Sequence, residues 1–225
     1  MPYLNIASNT INRGEMSADE MLRLISPDLT VELIHDIVAA AYDPYVVGMS
    51  DFAPINGRGL ELYIRATENL RDRLSRTGWR VENIFEVPAV ANRKDKVRLV
   101  CTTSSDGRVG KSNCAGPAIH DKGKGTLRLA GVEGRTMPIP GLEGYLGEGE
   151  PAKHDDLAFY YLIMHIDKRH EEIRIELSIP AFSENGVHSG WKDRVLLPSL
   201  STNNEPPIDT TEAPTPNIEV IRKTA

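Results

Sequence analysis

The segment "LAFYYLIMHIDKRHEEIRIELSIP", Leu157 to Pro180, decides how this chain folds. Its first half is apolar at consecutive positions, the pattern of a strand buried on both faces. Its second half alternates. Ile173, Ile175, Leu177 and Ile179 point inward, and Arg174, Glu176 and Ser178 point outward. The polar link "DKRHEE" between the halves predicts an antiparallel hairpin.

Working outward, "KVRLVCTT" alternates as well, with Val97, Leu99 and Cys101 on one side. "TLRLAG", residues 126–131, and "WKDRVLL", Trp191 to Leu197, are two further expected strands. Residues 130–156 are rich in glycine and proline and predict a long surface loop. Three helices are expected before the strands. Ser17 and Glu20 form a capping-box pattern for the first, and Pro27 ends it. Thr30 caps the second, which buries Ile34, Ile37, Val38 and Ala41 and closes at Pro44. The third runs to Gly78 with Leu60, Tyr63, Ile64, Thr67, Leu70 and Leu74 on one side, and Glu61 spaced to pair with Arg65. The expected fold class is α+β, with N-terminal helices packed on a mostly antiparallel sheet. Residues 1–200 form a single domain, and 201–225 form a low-complexity C-terminal tail in which Ile218 to Ile221 is a candidate edge strand.

At 225 residues, 26% charged and 40% hydrophobic, the chain can bury a real core. No apolar run approaches the roughly 18 residues of a membrane span, and the first residues lack an export pattern, so no membrane contact and a cytoplasmic location are expected. The two cysteines, Cys101 and Cys114, are too few for a disulfide framework, and Cys101 reads as a buried thiol. Oligomeric state is not fixed by any of these patterns.

Function is sought first in "VRLVCTTSSDGRVGKSNC", Val97 to Cys114. Gly110, Lys111 and Ser112 match the end of a phosphate-binding loop, but its first glycine position is Ser105, and Gly116 and Pro117 stand where a helix should follow. An ordinary turn with Asp106 and Gly107 at its tip is expected instead. The surrounding charge is the stronger lead. From Asn92 to Arg135 there are ten basic and four acidic residues, a local charge of +6 in a chain whose total is −6. This predicts nucleic-acid binding, to DNA or RNA, through Arg93, Lys94, Arg108, Lys111, Lys122, Lys124 and Arg128.

A metal-dependent nuclease would add converging carboxylates. Asp155, Asp167 and Glu176 are the candidate ligands for Mg²⁺ or another divalent metal, with Lys122 or Lys124 steadying the phosphate as part of the catalytic set. The acid followed by Glu-x-Lys that marks one large nuclease class is missing, because Ser178 follows Glu176 at that spacing. His165 and Asp167 should share a strand face, with His154, Asp156 and His170 nearby in sequence. Ser112 or Cys114 with His120 lacks an orienting third group. Trp191 is either a platform for a base or a plug for the core. The alternative function is a non-enzymatic protein interaction or assembly module. A third class, a small-molecule hydrolase, would require a deep pocket near His120 or His165.

Overall fold

The structure, a computed structural model, describes residues 16–47, 52, 54, 56–116, 119, 156–182 and 188–202. Three helices come first: α1 (Ala18–Ile25), α2 (Val31–Val47) and α3 (Gly57–Ser75). Seven strands follow: β1 (Arg80–Ile84), β2 (Val87–Asn92), β3 (Val97–Thr103), β4 (Ala158–Asp167), β5 (Glu172–Phe182), β6 (His188–Leu196) and β7 (Leu200–Ser201). They form one sheet in the order β1-β2-β3-β4-β5-β6, with β7 beside the start of β5. The pairing of β3 with β4 is parallel and the other described pairings are antiparallel. This is the expected α+β architecture.

Local chemistry explains most of the helix limits. Ser17 Oγ accepts from the Glu20 amide at 3.3 Å and the Ser17 amide donates to Glu20 Oε2 at 2.7 Å, which completes the capping box of α1. The Leu33 amide donates to Thr30 Oγ1 at 3.1 Å at the start of α2. Pro44 does not close α2, which continues to Val47. A proline removes one backbone hydrogen-bond donor, and α2 packs along α3. At the end of α3, Gly78 takes φ +92, and the Trp79 amide returns to the Leu74 carbonyl at 3.2 Å.

The buried side of α3 is rotated from the expected one. Leu62, Ala66, Thr67, Leu70 and Leu74 are buried, whereas Leu60 and Ile64 remain 53% and 43% exposed. Two stripes compete on this helix, and the one containing Ala66 lets α3 approach β2 and β3 closely. Arg65 pairs with Glu68 at 3.1 Å rather than with Glu61. Sequence patterning gives no sign of the β1–β2 hairpin, because its two-residue turn is Phe85-Glu86, both at positive φ, in place of Asn-Gly.

The sheet is covered on both faces. On the helix side, Leu22, Ile34, Ile37, Val38 and Leu70 meet Val97, Leu99, Cys101, Leu162, Met164, Ile175 and Leu177. On the other side, Val109 and Ile119, from the segment after β3, pack with Ala89, Val100, Phe159, Tyr161 and Ile163. Trp191 packs at the edge of this second cluster, a core plug. The covering segment overturns the outward reading of Arg174, Glu176 and Ser178, which are only 6%, 0% and 0% exposed. The expected strand at 126–131, the loop up to residue 155 and the tail from residue 203 lie outside the described residues. Among the described residues no helix is long and apolar enough to cross a membrane.

Candidate ligand cleft at the ends of two parallel strands

Because β3 and β4 run parallel, their carboxyl ends stand side by side, with Thr103 level with Met164. There, between the strand ends and α2 and α3, a cleft of about 700 Å³ opens. That volume falls within the range of small-molecule sites, which collect outside the carboxyl ends of parallel strands. Leu60, Leu62 and Tyr63 of α3 and Tyr45 of α2 line one side, Thr103, Met164 and Ile166 line the sheet side, and Asn56, Gly59, Ser104 and Ser105 are at the rim. Burial, chiefly, raises the Tyr63 phenol above its ordinary pKa.

His165 also borders the cleft, as the hydrolase reading requires. Strand alternation, however, sends its ring to the face opposite Met164 and Ile166. There Nδ1 lies 3.0 Å from the Ser104 carbonyl oxygen. A carbonyl can only accept, so Nδ1 carries the proton and His165 holds the Ser104 turn in place. The ring thereby positions the rim of the cleft.

Among the described residues, the expected metal ligands Asp167 and Glu176 stand apart. Glu176 Oε2 accepts from Arg194 Nη2 at 2.6 Å and from the Gly110 amide at 2.9 Å, while Oε1 accepts from Ser178 Oγ at 2.8 Å. Glu176 is fully buried and both of its oxygens accept hydrogen bonds from the protein, so in this structure it anchors the segment after β3. It stands opposite Ile163, whereas Asp167 stands opposite Glu172, so four residues of β4, roughly 13 Å at the rise of a strand, separate the two acids. Asp155 and Lys122 lie outside the described residues.

Asp167 instead joins His170 and Glu172, whose ligand atoms lie within 4.8 Å of one another. Arg174 already occupies that group. Its Nε donates to Glu172 Oε1 at 2.6 Å, its Nη1 to the Gly107 carbonyl at 2.7 Å, and its Nη2 to Asp167. A guanidinium between the carboxylates supplies the positive charge a metal would bring, so the cluster carries no metal assignment. Hydrogen bonding from His170, then from the Arg169 and His170 amides, holds the Asp167 carboxyl well below the usual range. The Arg174 and Ser199 bonds lower Glu172 in the same way.

The described part of the basic segment is split. Arg93 and Lys94 lie in the turn before β3, and Arg108 and Lys111 in the segment after it, so the seven residues of β3, roughly 20 Å, separate the two sets. Arg93 pairs with Glu82 at 3.0 Å and Arg108 with Asp106 at 2.6 Å. Lys124 and Arg128 are outside the described residues. The Gly-Lys-Ser match lies in turns, and its Gly110 amide is committed to Glu176. Comparison of the chain with family models, curated proteins and solved structures finds no match. The cleft was missed in the sequence because its signal is indirect. The long connection between β3 and β4 permits parallel pairing, but nothing local requires it.

Proposed function

We propose that this protein is a binding module for a small organic ligand, with an apolar or aromatic body and one hydrogen-bonding end, held in the cleft beside β3 and β4. The supporting observation is the combination of volume and lining. The space of about 700 Å³ has leucine, methionine and tyrosine walls and a few polar groups at Asn56, Thr103 and Ser105. The test uses Gly59, where an added Cβ meets nothing within 4 Å. Gly59→Phe should fill the cleft without straining the helix. Ligand-observed NMR with a panel of aromatic amides, carboxylic acids and nucleosides should give hits that Gly59→Phe abolishes. Absence of hits, or hits that survive the substitution, removes the cleft as the site.

Nucleic-acid binding is a second reading, favoured by the local charge of +6 between Asn92 and Arg135. Phosphodiester cleavage with a divalent metal would then rest on Asp155, Asp167 and Lys122. Fluorescence anisotropy with single-stranded and duplex DNA and RNA, in a salt series with magnesium or EDTA, tests it. Steeply salt-dependent binding weakened by charge reversal at Arg93 and Lys94 or at Arg108 and Lys111 supports it, and no binding at low salt removes it. A cytoplasmic setting, where thiols stay reduced, suits the two free cysteines.

A further inference from the structure

We infer that the β1 edge of the sheet pairs with a second copy of this chain, so that two sheets continue into one across a twofold axis at Val81. The inference does not depend on the cleft. β1 ends the strand order, with β2 on one side of it and no further strand on the other among the described residues. The hairpin fixes which backbone groups face outward. Its two-residue turn, Phe85-Glu86, makes Ile84 and Val87 a hydrogen-bonded pair, and bonded pairs recur at alternate positions, Glu82 with Ala89 and Arg80 with Ala91. Pro88, which has no amide hydrogen, stands opposite Asn83 in the unbonded set, as this phase requires. The amides and carbonyls of Val81 and Asn83 therefore point away from β2, along the open edge. β1 has no proline or lysine, and its register with β2 is unbroken, so the common devices that block edge pairing are missing from it.

The side chains select a second copy as the occupant. Antiparallel pairing centred on Val81 sets Arg80 opposite the partner's Glu82, and Glu82 opposite the partner's Arg80, two complementary pairs in one interface. Arg80 has no ion pair among the described residues, so the pairing supplies its counter-charge. Glu82 takes Arg93 at Oε1 and Arg98 at Oε2, and a carboxylate has lone pairs left for a third guanidinium. A register centred on Glu82 would oppose two carboxylates, and one centred on Asn83 would carry Val81 onto the partner's Phe85 in the turn. Val81 stands opposite Val90, on the helix side of the sheet, and is 49% exposed, so in the favoured register it packs on the partner's Val81. A contact built on five-residue strands lies at the small end of specific interfaces, which makes the dimer a reversible one.

Sedimentation equilibrium of the full chain, from roughly 10 µM to 1 mM, should show monomer and dimer in exchange. Val81→Pro removes an amide that bonds nothing within the chain, so it should weaken the dimer at least about tenfold and leave the unfolding midpoint of the dilute protein unchanged. Arg80→Glu sets acid against the partner's Glu82 and should weaken it by about as much. A monomer throughout the range, or a dimer that neither substitution weakens, overturns the inference. The register has its own test in a Cys114→Ser background. A short bismaleimide should link two copies of Val81→Cys at least about tenfold faster than two copies of Asn83→Cys, which would lie four residues, roughly 13 Å, apart along the paired strands. Equal rates overturn the twofold at Val81, and the inference with it.

Discussion

Glu176 on β5 and Arg194 on β6 sit diagonally across the sheet, with Arg194 Nη2 donating to Glu176 Oε2 at 2.6 Å, and together they fasten the segment after β3 to the second face. The fastening is mutual. Glu176 takes the Gly110 amide, and Arg194 Nη1 donates to the Cys114 carbonyl at 3.3 Å. Burying a carboxylate and a guanidinium costs several kcal/mol unless their hydrogen bonds are all made, and here the loop supplies some of those partners.

Removing one member should therefore cost more than removing both. Glu176→Leu leaves the Arg194 guanidinium without its counter-charge and should lower stability by about 3–5 kcal/mol, whereas Glu176→Leu with Arg194→Met should recover most of that loss. Urea unfolding of the two variants checks it. A double variant no more stable than the single one would mean that the loop bonds, and not the charges, dominate.

Gly116 takes φ +96, and a Cβ there would lie 2.5 Å from Trp191 Cδ1 and 2.7 Å from its Nε1. Gly116→Ala should push the indole out of the second core and cost about 1–3 kcal/mol, seen as a red shift of tryptophan emission and a lower unfolding midpoint. Gly107→Ala, where an added Cβ meets nothing within 4 Å, is the matched control and should leave both unchanged.

Acid should loosen the β4–β5 turn. Asp167 and Glu172 are both held below the ordinary carboxylate range in the folded chain. Depressed folded values mean that their stabilisation is fully present above about pH 4, the unfolded value, and is lost as pH falls through the folded ones. Asp167→Asn should lower stability near neutrality and flatten its decline toward acid, measured by thermal unfolding at about pH 7 and about pH 3.

The two thiols should separate cleanly. Burial pushes the Cys101 thiol up to about 12, and its side chain is shut inside the helix-side core. Cys114 is partly exposed. A disulfide reagent at about pH 8 should label one thiol on the native protein and the second only after denaturation. Loss of the fast thiol in Cys114→Ser identifies it.

The sequence by itself determined the elements whose chemistry is local. The capping box at Ser17 and Glu20, the buried row Ile34, Ile37, Val38 and Ala41, and the hairpin through Asp167 to His170 follow from spacing and polarity alone. It determined the identity of the inward face of β5 for the same reason. What covers the other face was decided only in three dimensions, because Arg174, Glu176 and Ser178 look like a solvated row until Val109, Gly110 and Arg194 close over them. The basic residues show the same limit, since charge counted along the chain cannot reveal that β3 carries Arg93 and Arg108 to opposite ends of the sheet. The cleft, too, belongs to the tertiary structure. It exists because two strands separated by a long connection end side by side, and that pairing is set by contacts between distant segments rather than by any local preference.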